Sequence, residues 1–160
     1  MILWLTAGAV IITWGVLRDP VVDHRVAAGG ALVPLGIDVW FGRWAIGHTL
    51  LAAAVALVVV MVATIGRRKL RRRLVFVPFG MLCGLVLSGA WTEPEVFLWP
   101  ARGLAFGDVA LWPSLPLLVA AELVGLAGWI WIWWRFGLCD PARRRSFVRT
   151  GRLYERTPAR

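Results

Sequence analysis

The sequence is short of the residues that usually build redox and metal chemistry. It holds two cysteines and two histidines in 160 residues. Cys83 lies inside an apolar run and Cys139 follows the last one, so they are expected at different depths and do not predict a disulfide. No Cys-x-x-Cys or zinc-type spacing is present, and Cys83 reads as a small packing residue. Acids are scarce, nine Asp and Glu against eighteen Lys and Arg. The opening MILWLTAGAV lacks a basic n-region. Six residues precede the A-x-A at Ala7–Ala9, too few for the apolar region of a signal peptide, so an uncleaved anchor is expected. There is no internal repeat and no low-complexity segment.

What the sequence has is apolar surface. It is 59% hydrophobic with eleven Trp, and its mean hydropathy is +0.72. Long apolar runs with few charges predict a polytopic membrane protein. The net charge of +9 and pI near 11.5 could suggest nucleic acid as a partner, but the placement of the bases argues otherwise. RRKLRRR, Arg67 to Arg73, carries six of the eighteen, and the tail from Arg135 to Arg160 carries eight. They cluster between and after the apolar runs, as the positive-inside rule requires. No basic domain with interleaved aromatics remains to read bases.

Five runs are countable, at 1–17, 26–42, 46–66, 74–91 and 112–134. A straight span needs about 20 residues. The second run carries Gly29, Gly30, Pro34, Gly36 and Asp38, which suggests a kinked or re-entrant segment. Counting it as a span puts sixteen of the eighteen bases inside and leaves Arg43 and Arg102 outside. The expected fold is therefore an all-α bundle of about five transmembrane helices over residues 1–138, N-terminus out and C-terminus in. A basic cytoplasmic tail follows at 139–160. The expected location is the bacterial inner membrane, with anionic inner-leaflet lipids as partners. Trp40, Trp44, Trp91, Trp99 and Trp112 fall at the outer ends, and Trp129, Trp131, Trp133 and Trp134 at the inner end, as interfacial anchors do. Asp140 and Pro141 predict a short basic helix through Arg143, Arg144 and Arg145, either lying on the inner leaflet or solvated. The bases Arg67, Arg68, Lys69, Arg71, Arg72 and Arg73 set topology by the same rule.

Few polar groups interrupt the runs. Thr13, Thr49 and Thr64 can bond their own helix carbonyls. Asp38, His48 and Ser88 fall at one depth near the outer ends of their runs, with Glu122 somewhat below. An ionisable group at such depth is a candidate functional residue. The alternative for Glu122 is a neutral acid hydrogen-bonded to a neighbouring helix, and for His48 a structural hydrogen bond. Asp23 and His24 read as a solvated loop on the cytoplasmic side, too far away to share a site with His48.

LRDPVVDHR, ALVPLGID, GHTLL, RRKLRRR, PFGMLCGLVLSGAWTEPEVFLWP and WWRFGLCDPARRRSFVRTGRL occur in this order. This pattern resembles a group of small actinobacterial integral membrane proteins, which are similar in turn to membrane-bound metal-dependent hydrolases. The resemblance implies a pattern of Pro-Asp-x-x-Asp, His-Ser/Thr-Leu-Leu and a later His-x-x-x-Asp, which together would ligate a divalent metal. This chain keeps Asp38 and His48. It has Leu35, Gly84 and Ser88 where an Asp, a His and an Asp would stand.

Three readings follow. The first is a non-catalytic, degenerate relative that packs against a membrane-protein partner or a second copy. Gly84, Ser88 and Gly89 would form its small-residue packing face. It needs no cofactor. The second is a surviving metal-dependent hydrolase near the outer leaflet, with a divalent metal on a rebuilt site of His48 and Asp38 and with Glu122 as ligand or base. The third is a small transporter or proton-coupled subunit that uses Glu122.

Overall fold

The computed structural model describes residues 1–18, 22–104, 106 and 108–153. Among them every regular element is helical, apart from one isolated bridge between Arg43 and Ala110. In chain order the helices are α1 (Ile2–Leu17), α2 (His24–Asp38), α3 (Leu50–Ala63), α4 (Arg68–Leu74), α5 (Phe76–Ser88), α6 (Pro94–Phe97), α7 (Leu115–Arg135) and α8 (Pro141–Thr150). Short 3-10 turns occupy Ile46–His48 and Ala90–Thr92.

Local chemistry sets the ends. The Thr49 hydroxyl accepts from the Ala52 N–H at 3.0 Å and starts α3. Asp140 starts α8 by accepting from the Ala142 N–H at 2.9 Å, with Pro141 in the first turn as the sequence predicts. Gly89 at φ 79° and Gly151 at φ 70° end α5 and α8 in the left-handed conformation. These caps make the helices shorter than the apolar runs. The run 46–66 contributes a helix of 14 residues, or about 21 Å at the helical rise. The 21 residues of α7 form the one described helix long and apolar enough to cross a membrane.

The tightest pairing is α2 on α5, and it is built by small residues. A Cβ on Gly80 would meet the Ala27 carbonyl oxygen and lie 2.9 Å from the Gly30 Cα. One on Gly84 would lie 3.2 Å from the Ala31 Cα and carbonyl carbon. The backbones therefore touch, as small-xxx-small spacing allows. The pair in use is Gly80-x-x-x-Gly84, facing α2 within the same chain. Of the expected face of Gly84, Ser88 and Gly89, Gly84 packs on α2, Ser88 borders a cleft, and a Cβ on Gly89 would meet open space. On the other side α1 meets α7, where a Cβ on Gly125 would lie 2.7 Å from the Trp4 Cα and one on Gly128 3.1 Å from the Ala7 Cβ. Trp4 ties α1 to α5 by donating from Nε1 to the Leu87 carbonyl at 2.8 Å.

The helix ends sort into two groups. Met1, the turn after Asp38, the end of α5 and the start of α7 gather at one end, joined by Trp44 N–H to Val109 O at 2.9 Å. At the other end Arg135 lies over the Trp14 ring, 5.7 Å from its centroid, and Asp23 accepts from Arg73 Nε at 2.9 Å. This second end holds RRKLRRR and α8. Arg156 and Arg160 of the basic tail lie outside the described residues.

Asp23 and His24 are buried, not solvated as expected, because the end of α8 docks on them. The His24 N–H donates to Gly151 O at 3.0 Å. His24 Nδ1 faces the carbonyls of Val22 at 3.1 Å and Gly151 at 3.2 Å. Arg25 donates to the carbonyls of Val148 and Arg149 and to the Asp23 carboxylate. Leu153 then enters a buried cluster with Phe136, Leu138, Ile132 and Val10.

Two predictions follow from these contacts. Gly80→Val should destabilise the fold by about 1–3 kcal/mol or more, because backbone cannot yield to the new side chain. Gly36→Ala, in open space on α2, should be neutral or stabilising by about 0.5–1 kcal/mol; thermal unfolding in detergent measures both. The second concerns pH. Burial holds the His24 imidazole below its usual 6.5, so the unfolded chain takes up the proton first. The contribution of His24 is full above pH 6.5 and falls as the pH drops below that value. Burial pushes the Asp23 carboxyl up, but the Arg25 hydrogen bond and the charges of Arg25 and Arg73 outweigh it and leave it below 3.8. Its contribution is present above 3.8 and is lost only in stronger acid. Unfolding temperature should fall between pH 7.5 and 5, and His24→Asn should flatten that fall.

Candidate functional site at the Asp38–His48 pair

Asp38 ends α2 as a fully buried carboxylate. Beyond it the chain turns back through residues 39–49 to reach α3, and this turn leaves several backbone N–H groups outside any helix. Asp38 takes them up. Its Oδ2 accepts from the Ala45 N–H at 2.7 Å and the His48 N–H at 3.2 Å, and its Oδ1 accepts from the Gly47 N–H at 2.7 Å. His48 Nδ1 adds a fourth bond to Oδ2 at 2.7 Å. Gly47 is needed because a Cβ there would lie 2.7 Å from Oδ1 and against the Pro34 carbonyl oxygen. The His48 ring stacks on Trp44, with centroids 4.9 Å apart and planes 4° from parallel.

The sequence brought Asp38 and His48 to one depth, and the structure joins them. The other expected participants do not join. Glu122 lies seven residues beyond the start of α7, or about 10 Å along the helix. Its carboxylate accepts from the N–H groups of Ile2 at 2.7 Å and Leu3 at 3.0 Å, and it pairs with the Met1 nitrogen. It thus caps α1 from a neighbouring helix, satisfying amides that have no partner within their own helix. Ser88 donates to the Leu85 carbonyl of its own helix at 3.2 Å. Leu35 is buried against Leu5, Ala9, Ala31 and Cys83.

A metal site needs three or more ligands. No group of three His, Cys, Asp or Glu that could hold an ion occurs among the described residues. At position 84 the approach of α2 leaves no room for a side chain. Each Asp38 oxygen already accepts from the protein. Of the expected ligands, the structure brings together Asp38 and His48 alone, and both are engaged with each other.

Trp44, expected as an interfacial anchor, also lines an apolar cleft of about 540 Å³. Trp4, Leu87, Ser88, Leu117 and Val124 share the lining, whereas Asp38, His48 and Glu122 do not. Spacing in the sequence did not pick out this role of Trp44. Only its position four residues before His48, in the same turn, hints at it.

Asp38→Ala should cost about 3–5 kcal/mol, since it strands several buried donors at once. Asp38→Asn, which keeps one acceptor oxygen, should cost less. His48→Ala should cost least, because three backbone N–H groups still reach Asp38. Thermal unfolding in detergent orders the three, and trypsin cleavage at Arg43 reports whether the turn has loosened. No family model, curated protein sequence or solved structure matches the chain.

Proposed function

We propose that the chain is a multi-pass protein of the bacterial inner membrane, a non-catalytic relative of the membrane-bound metal-dependent hydrolases that it resembles. The observation that carries this reading is the saturated Asp38 carboxylate. Its oxygens accept three backbone N–H bonds and one from His48. A residue pair that elsewhere could begin a metal site here organises a turn. The contact of Gly84 with α2 supports the same reading, because a ligand-bearing side chain at that position would force the two helices apart. The role left to the protein is binding, to lipid or to another membrane protein.

Membrane placement has its own support. Val55, Val58, Val59 and Val62 of α3 and Leu115, Leu117, Leu123 and Trp134 of α7 are all exposed. Water does not favour so much contiguous apolar surface, whereas lipid does. We propose five spans, N-terminus out, with the basic helix ends in the cytoplasm. The segregation of bases to one end of the bundle favours this orientation.

Protein purified in a mild detergent should carry no stoichiometric zinc, manganese or iron. A stoichiometric metal that is lost in His48→Ala would overturn the non-catalytic reading. Orientation is tested in intact cells with a membrane-impermeant maleimide. Native Cys139, exposed beside the last span, should label only after permeabilisation, and Arg43→Cys in a Cys139→Ser background should label without it. Labelling of both from the same side would overturn five spans.

A further inference from the structure

Beyond the Asp38–His48 turn, one feature of the fold gathers charge in a way that topology does not require. The start of α2, the helix α4 and the end of α8 meet around a cleft of about 320 Å³. Arg25 comes from the first, Lys69, Arg72 and Arg73 from the second, and Arg149 and Arg152 from the third. Asp23 is the one carboxylate in the lining. It is already engaged by Arg25 at 3.2 Å and by Arg73 at 2.9 Å. Among the described residues no carboxylate pairs with Lys69, Arg149 or Arg152.

The fold holds these cations together on purpose-built bonds. The α8 terminus is fixed by His24 N–H to Gly151 O at 3.0 Å and by Arg25 to the carbonyls of Val148 and Arg149. Gly151 is required there, since a Cβ would lie 2.5 Å from the Asp23 Cγ. A helix meant only to be solvated, or to lie flat on lipid, needs no such anchor. Docking brings Arg149 and Arg152 to the cleft that Lys69 lines, and like charges held close repel unless an anion sits between them.

We propose that this cleft binds a phosphate-bearing anion. Guanidinium forks match phosphate oxygens in pairs, and Lys69 adds a point charge. The volume lies at the low end of the range for small-ligand sites, about 300–1,000 Å³. The cleft is lined by α4, which links α3 to α5 and carries the exposed Leu70. On the proposed orientation, on which this source rests, that is the headgroup level of the anionic cytoplasmic leaflet. A phospholipid headgroup is the source this position favours, and free phosphate is the other.

The test uses the full chain in non-ionic detergent, where both ends are accessible, so that its outcome does not depend on which way the protein faces in a cell. Binding of short-chain phosphatidylglycerol, short-chain phosphatidylcholine and inorganic pyrophosphate is measured by native mass spectrometry and thermal shift. Phosphatidylglycerol should bind in preference to phosphatidylcholine. The triple variant Lys69→Gln/Arg149→Gln/Arg152→Gln should weaken it about tenfold or more, while Arg143→Gln/Arg144→Gln/Arg145→Gln, an equal charge loss on α8 away from the cleft, should change it by about twofold or less. Lys69→Gln alone, an exposed side chain outside α8, should weaken binding about threefold and guards against a misfolded triple variant. Pyrophosphate binding with the same variant pattern and no lipid binding would assign the site to free phosphate and support the proposal. Equal loss in both triple variants, or no preference for any phosphate anion over phosphatidylcholine, would overturn it.

Discussion

The backbone contact between α2 and α5 is the constraint on which the rest of the fold depends. Apolar helices in an apolar solvent gain little by hiding side chains from each other, and association relies on close packing instead. Gly30, Gly80 and Gly84, with Ala27 and Ala31, bring the two backbones together. With α2 fixed on α5, its two ends are fixed as well. One end places Asp23 against Arg73 and receives α8, and the other places Asp38 at the turn that leads to α3. Two of the polar networks described above therefore hang from the ends of a single helix.

The two networks solve the same physical problem. Where a helix stops inside a packed, poorly hydrated region, its neighbours' N–H and C=O groups need partners. Asp38 collects N–H groups from the turn 45–48, and Glu122 does the same for the first amides of α1. At the basic end the charge is reversed, and Arg25 collects the carbonyls at the end of α8. The same amino-acid types that build catalytic sites are here spent on closing helix ends. This is why ionisable residues in an apolar run need their partners identified before a reaction is assigned to them.

The small-residue contact also bears on the resemblance to metal-dependent hydrolases. A His at position 84 and the observed approach of α2 exclude each other, since a Cβ alone would already lie 3.2 Å from the Ala31 Cα. Leu35, where that pattern has an Asp, fills the core beside Ala31 and Cys83.

Apolar run length and the placement of arginine were enough to predict a helical chain with its basic clusters between and after the apolar helices, but not the number or the bounds of the helices. Composition carries that information directly, because each run and each charge acts locally. The cap at Asp140 was legible, since a cap is a property of a few adjacent residues, while those at Thr49 and Gly151 appear only in the structure. Partnership was not. Asp38 and His48 could be placed at one depth by counting, but only the turn at Gly47 decided that the carboxylate would be consumed by backbone. Asp23 and His24 read as solvated because their partners at 148–151 lie more than a hundred residues away. Hydrogen bonds of that span, and the convergence of Lys69 with Arg149 and Arg152, depend on how α2, α4 and α8 pack, which no local pattern encodes.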